Sequence, residues 1–387
     1  MVPKANRSKI LRIVTRLNVG GPSHHVYFLS SCLNPDRFTT FLVYGKLSQG
    51  EDRYPQLPQA DRCVYFETLG RHINIKNDLV SFFGLVRLMM FEKPQIVHTH
   101  MAKAGALGRL AAYLCRVPVI IHTYHGHVFD GYFPKWKTKL FVLIERLLTH
   151  FSTCVITMGE EIAKELVEVY HIGSKTKVRV MYPGLELKEY LNCQNHQGTF
   201  KRKLGFTHEE ILVAMIGRLI PIKNPEMFVR VASKVVQKYP LAKFIIIGGG
   251  EKEQGIANLI KEMRLEQVVF LLGWRHDLPV IYSDVDIVVL CSRDEGVPNV
   301  LIEALASAKP VVATRVGSVA EIVQQGKSGW LVGKENEDQM TEAILSLCQN
   351  PQMRQEFGQY GREYVKNHFS KEDLIRRMEE LYSELVR

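Results

Sequence analysis

No apolar run in this chain of 387 residues approaches the roughly 20 residues that a membrane-spanning helix requires. Met1 to Lys9 is basic, but Arg12 and Arg16 interrupt the apolar residues after it, so a signal peptide is not expected. The seven cysteines are odd in number and scattered, several within apolar segments, as Cys115, Cys154 and Cys291 are. No pair has metal-ligand or redox-motif spacing, which argues against a disulfide-stapled domain and for a reduced, cytoplasmic protein. Zinc-finger spacing, an aromatic platform motif and an arginine-rich tail are also missing, so no nucleic-acid partner is expected. What is present is the composition of a soluble globular protein, 46% hydrophobic and 23% charged, long enough for two cores.

Acidic residues are in deficit in one half only. Residues 1–195 hold 25 Lys and Arg against 15 Asp and Glu, and the remainder 25 against 25, so the formal charge of +10 belongs to the amino-terminal half. Such an excess suits an anionic membrane surface, nucleic acid or an anionic small molecule, or simply a solvated basic surface. Tyr132-Phe133-Pro134-Lys135-Trp136-Lys137 mixes aromatic and basic residues ahead of an apolar helix. That mixture suits a membrane interface, with Lys139 adding to it, or ordinary helix packing.

Short apolar strands alternate with helical stretches from end to end. The strands expected are Leu11–Thr15, Thr39–Tyr44, Gln95–His98, Val119–His122 and Thr153–Thr157. The second half repeats the pattern with Ile211–Ile216, Lys243–Ile247, Val268–Leu271, Asp286–Leu290 and Val311–Thr314. This alternation predicts an α/β protein with two parallel sheets, each covered on both faces. Domains are expected at 1–185 and 186–368, with the polar, aperiodic stretch 183–200 as the hinge. In 369–387, Leu374, Met378, Leu381 and Leu385 form one apolar stripe, suited to packing on either domain.

The densest site signal is Asp294-Glu295-Gly296-Val297-Pro298-Asn299-Val300-Leu301-Ile302-Glu303-Ala304. A buried strand precedes it, and Val300, Leu301, Ala304 and Leu305 follow at helical spacing. Gly296 and Pro298 fix the turn, and Asn299 is placed to cap the helix. The loop therefore delivers Glu295 to the carboxyl edge of a parallel sheet, beside unpaired helix amides that favour a phosphate. Glu303, just over two turns on, reaches the same crevice. The arrangement points to a nucleotide-sugar site. Asp284-Val285-Asp286 has a metal-binding pattern but starts a strand at the wrong edge of the sheet. In His122-Thr123-Tyr124-His125-Gly126-His127, the spacing of His125 and His127 admits a metal, yet no further ligand at fixed spacing supports one. No metal and no cofactor are expected. His98 and His100, ending another strand, lie near an acceptor or are packed.

The two glutamates, with Gly20-Gly21, His125-Gly126, and Gly217-Arg218-Leu219 followed by Lys223-Asn224, come in an order that resembles the retaining glycosyltransferases of family 4. The resemblance implies the GT-B fold: two Rossmann-like doubly wound domains facing across a cleft, with the last helix crossing back to the first. It gives Arg218 and Lys223 the departing diphosphate, helped by the amides of Asn299 and Val300 beside Val297. Glu303 would take the ribose hydroxyls and Glu295 the hydroxyls of the transferred sugar, with His125 beside that sugar. Gly20 and Gly21 would admit phosphate or acceptor, and Gly248 and Gly249 would leave the donor room. Gly273, Trp274 and Arg275 would line the base pocket, with core packing the alternative for Trp274. The implied activity is metal-independent transfer of a hexose from a nucleoside diphosphate sugar, a uridine one, to a lipid-linked or saccharide acceptor in envelope or exopolysaccharide synthesis. The protein would be cytoplasmic or peripheral on the inner face of the membrane. A nucleotide-sugar epimerase and a non-catalytic nucleotide-sugar binder are the alternatives.

Overall fold

The computed structural model describes residues 7–18, 20–125 and 135–386. The chain divides into two compact units, Met1–Gly184 with Lys371–Arg387, and Leu185–Ser370. The first holds seven strands: β1 (Ser8–Val14), β2 (Phe38–Gly45), β3 (Arg62–Phe66), β4 (Ile96–His100), β5 (Val119–Tyr124), β6 (Cys154–Thr157) and β7 (Val178–Val180). They are parallel, in the order β3-β2-β1-β4-β5-β6-β7. Central β1 is apolar on both faces because both are covered. Ile10 packs with Leu29 and Leu374, while Leu11 and Ile13 pack with Leu85 and Ala112. On the first face lie α1 (Gly21–Ser31) and the carboxyl-terminal helix Lys371–Val386. On the other are α2 (Ile75–Glu92) and α3 (Ala102–Leu114), with α4 (Lys135–Phe151) beside α3.

The carboxyl-terminal helix is held to this sheet by polar bonds as well as by Leu374, Met378 and Leu381. Fully buried Arg12 donates to the Leu29 carbonyl and to the Tyr382 hydroxyl, each at 2.9 Å. That hydroxyl also meets Nδ1 of buried His98 at 2.7 Å. A guanidinium inside a sheet layer is tolerable only with such partners.

The second unit has six parallel strands: β8 (Ile211–Ile216), β9 (Ala242–Ile247), β10 (Val269–Leu271), β11 (Ile287–Leu290), β12 (Val311–Thr314) and β13 (Gly329–Val332), ordered β10-β9-β8-β11-β12-β13. Its core joins Val213, Met215, Phe228, Phe244, Ile246 and Val289. One expectation changes. β3, β7 and β13, absent from the predicted strands, all lie at sheet edges, where one neighbour suffices and the apolar signal is short or broken. The boundary between the units, at Gly184 and Leu185, falls within the stretch 183–200 expected as the hinge, and beyond it Leu185, Leu187, Cys193 and Phe200 are buried. Its turns are too short to show a period.

Candidate active site

In the second sheet the strand order reverses between β8 and β11, so the loops after those two strands lie side by side at the carboxyl edge. The loop after β8 carries Arg218 and Lys223, and the loop after β11 carries Glu295. Backbone and side chain of Arg293 tie them, donating to the carbonyls of Ile222 and Pro221 at 2.7 Å each. The Lys223 ammonium then pairs with the Glu295 carboxylate, whose Oε1 also accepts from Ser292 Oγ at 2.6 Å. The carbonyl of Ser292 is held in turn by Thr314 Oγ1 at 2.6 Å. Lys223 is thus no bare cation, its charge being matched by Glu295. Arg218 is exposed and makes no ion pair among the described residues. The two loops thus offer one unshared guanidinium and one ammonium already paired with a carboxylate.

Two glycines permit this approach. Gly248 has φ 133°, and a Cβ there would sit 1.9 Å from the Gly217 carbonyl oxygen. Glycine at 248 therefore lets the loop after β9 close onto the loop after β8. Gly317, which sequence reasoning passed over, has φ 47° and would place a Cβ 1.7 Å from the Glu295 carbonyl oxygen. A Cβ at Gly249 would stand 2.7 Å from Nε1 of the Trp274 indole. The alternative of core packing for Trp274 is overturned, since its side chain is 62% exposed. Beyond Gly273, Arg275 forms a two-pronged bond to Asp277 at 2.8 and 2.6 Å.

The helix after the second loop runs Asn299–Ala306, with Pro298 in the capping position and no side-chain cap. Asn299 is its first helical residue rather than its cap. Proline sits in extended backbone there, at φ −75° and ψ 106°, and helical geometry begins at Asn299, one residue earlier than a cap at Asn299 would give. The amides of Asn299 and Val300 have no carbonyl one turn back within the helix, as all first-turn amides lack one. Val297 and Val300 are half-buried and Asn299 is exposed. Glu303 lies on the same helix, with the hydroxyl of Tyr282 donating to its Oε2 at 3.3 Å. Burial pushes its carboxyl up to about 7, against the opposing hydrogen bonds from Tyr282 and Tyr190. Those two tyrosines, their rings edge-to-face at 5.7 Å, had no spacing signal to reveal them.

The first unit presents a separate group. Gly20 and Gly21 open α1 at the carboxyl end of β1, and a Cβ at Gly21 would meet nothing within 4 Å. Nδ1 of His100 and Nε2 of His125 lie 3.1 Å apart, and the His25 ring stands 5.3 Å from that of His125. Burial drives all of these imidazoles below their ordinary range, His125 to about 3, so they are neutral at pH 7. His125 can then hydrogen-bond a hydroxyl but has no acid proton to give. His98 is packed, held between Tyr382 and Thr123 at 2.7 Å on either side, and buried His122 meets Thr99 Oγ1 at 2.9 Å. Gly126, His127 and Tyr132 to Pro134 lie outside the described residues.

Among the described residues no group of three or more His, Cys, Asp or Glu is placed to hold a metal ion. The carboxylates of the Asp-x-Asp run are occupied. Asp284 accepts the backbone amides of Phe200 and Lys201 at 2.7 and 3.0 Å, and Asp286 pairs with Lys201 at 2.9 Å.

The chain matches the family description "Glycosyltransferase Family 4" over residues 19–189 and "Glycosyl transferases group 1" over 196–364. It belongs to the family 4, group 1 glycosyltransferases. A curated relative from Escherichia coli, a UDP-Gal:alpha-D-GlcNAc-diphosphoundecaprenol alpha-1,3-galactosyltransferase, is 28% identical over 85% of this chain and 86% of its own. The Staphylococcus aureus capsular polysaccharide glycosyltransferase CapM is 25% identical over 82% of this chain and 84% of its own. Among solved structures, Anabaena Alr3699/HepE with UDP superposes with a TM-score of 0.79 at 18% identity, covering 97% of this chain and all of that one. A glycosyltransferase from Rickettsia africae gives 0.80 at 18%, with 99% of each chain covered. These structural likenesses speak to the fold, which is GT-B. In this glycosyltransferase the Lys223–Glu295 pair and Glu303 stand within the group 1 region, and Gly20, Gly21 and His125 within the family 4 region.

Proposed function

We propose that this glycosyltransferase takes a hexose from a UDP-sugar, with retention at the anomeric carbon and without a divalent metal, and delivers it to a lipid-linked saccharide. The observation that carries the reading is the Lys223–Glu295–Ser292 cluster at the sheet's carboxyl edge, beside the start of the Asn299–Ala306 helix and with Glu303 on that helix. Arg218, Lys223 and the amides of Asn299 and Val300 are suited to a diphosphate. Glu303 suits a ribose diol, and Glu295 a sugar hydroxyl. Charge builds on the diphosphate as its bond to the anomeric carbon breaks, and fixed cations stabilise that charge without reorganising. The acceptor oxygen forms the new bond on the face the diphosphate leaves, and its proton passes to a phosphate oxygen. A uridine donor and a diphosphate-lipid acceptor are supported by the E. coli relative, named for both, and by the UDP bound in Alr3699/HepE.

The test is incubation with UDP-hexoses and a polyprenyl-diphosphate GlcNAc, with the product's anomeric configuration read by NMR. An axial donor bond should give an axial product. Inversion would refute retention. Conversion of the donor sugar to its epimer with no acceptor present would favour an epimerase.

A further inference from the structure

Singly exposed apolar side chains are ordinary on a protein surface, whereas a contiguous patch calls for a partner. In the first unit α2, α3 and α4 lie side by side, and each turns large apolar groups outward. On α2 these include Ile75, Leu79, Phe83 and Met90, at helical spacing and from 52% to 74% exposed. On α4, Trp136, Leu140, Leu143 and Leu147 repeat the pattern at 50% to 65%. Between them, α3 shows Leu110, Tyr113 and Leu114, and its outer side carries no exposed charge. The whole second unit exposes only Ile222, Leu241, Trp274 and Tyr360 among large apolar side chains.

The charges around this face have one sign. Lys76, Arg87, Lys137, Lys139 and Arg146 are exposed on α2 and α4. The acids of these three helices are taken up elsewhere. Glu92 is buried against Lys9 and Arg62, Glu145 is buried against Arg109, and Asp78 is paired with Lys103. Lys137 Nζ stands 5.4 Å over the Trp136 ring, an aromatic and a cation at one level. The Arg109–Glu145 bond at 2.6 Å also links α3 to α4 in the buried layer, so α4 presents its apolar stripe from a fixed position.

We propose that the α2–α3–α4 face docks on an anionic lipid bilayer. Its apolar side chains enter the boundary between headgroups and acyl chains, and its lysines and arginines meet acidic headgroups. A second copy of the chain fits less well, because two such faces would bring basic rims together. The inference deepens the reading of a lipid-linked acceptor and draws its purpose from it: attachment holds the enzyme on the surface that contains that acceptor. Attachment by charge alone would vanish as salt screens it, whereas insertion of apolar groups does not.

Co-sedimentation with vesicles of phosphatidylcholine alone, or with 30% phosphatidylglycerol, tests this at low and at 1 M salt, with UDP binding measured in parallel. Recovery is expected with acidic vesicles, at least tenfold above neutral ones, and a measurable fraction should survive 1 M salt. Phe83→Ser with Leu143→Ser, both at exposed positions, should abolish the salt-resistant fraction and leave UDP binding intact. Brominated lipid should quench wild-type fluorescence, and Trp136→Phe should remove that quenching. Equal or absent recovery on both vesicles, with UDP still bound, overturns the docking face and leaves the glycosyltransferase reading standing. So does a dimer that the double substitution dissociates. Vesicle binding without UDP binding would support the face and count against the donor proposal.

Discussion

Replacing Glu303 by glutamine should stabilise the folded protein at pH 8 while weakening donor binding. The carboxyl rises from an ordinary 4.5 to about 7, because burial penalises its ionised form more than the tyrosine hydroxyls of Tyr282 and Tyr190 relieve it. An acid with a raised folded pKa favours the fold fully below its unfolded value, and that advantage is lost as pH rises through the folded value. The window is therefore pH 4.5 to 7. At about 1.4 kcal/mol per unit the full shift is roughly 3 kcal/mol, an upper bound for a group that water still reaches in part. A gain of about 1–3 kcal/mol is expected from Glu303→Gln at pH 8, shrinking to nothing near pH 4.5. Glutamine keeps an oxygen for both tyrosines, so packing is little disturbed. Urea denaturation at several pH values measures the difference directly. Donor affinity in the parent should fall as pH drops below 7, since a carboxylate accepts two ribose hydroxyls and a carboxylic acid does not. In the glutamine variant, affinity should be low at every pH. A variant no more stable than the parent at pH 8 would refute the burial argument, whatever its affinity. A variant that is more stable but binds UDP normally would remove Glu303 from the ribose.

Lys223→Ala should lower turnover by roughly 10²–10³-fold, the scale of losing one preorganised stabiliser of developing charge, as read by steady-state kinetics. Parent-like turnover would void the phosphate assignment. Transfer should persist in EDTA, and activity lost to the chelator and restored by manganese would contradict metal independence. Gly317→Ala should destabilise by more than about 1 kcal/mol, because a Cβ there collides with the backbone of Glu295. Gly21→Ala, with open space at its Cβ, should fold normally, and thermal unfolding compares the two. Tyr382→Phe should cost roughly 1–3 kcal/mol by chemical denaturation, leaving Arg12 and His98 short of a buried partner.

Much of the fold was legible because central parallel strands are apolar on both faces and stand out as runs. Ile211–Ile216 is predicted and found with the same ends. Three of the four edge strands escape for the complementary reason. Arg62–Phe66 pairs with β2 alone and leaves Tyr65 half exposed, so no run of buried residues marks it. The site divides along the same line. Lys223 and Glu295 each follow a central strand, and the parallel topology alone sets their loops side by side. Their mutual pairing could not be read, because it depends on Arg293 drawing one loop onto the other across 72 positions of sequence. Tyr190 and Tyr282 approach Glu303 from segments with no period or motif of their own. The loop glycines mislead when read one at a time: the same residue type makes space for a neighbouring chain at Gly248 and leaves open space at Gly21. The residue type alone does not separate the two. The acidic run at Asp284 and Asp286 stands at a strand's amino end, as its place in the sequence implies. Its carboxylates hold a helix start and a lysine there, as charges at that edge of a parallel sheet are free to do.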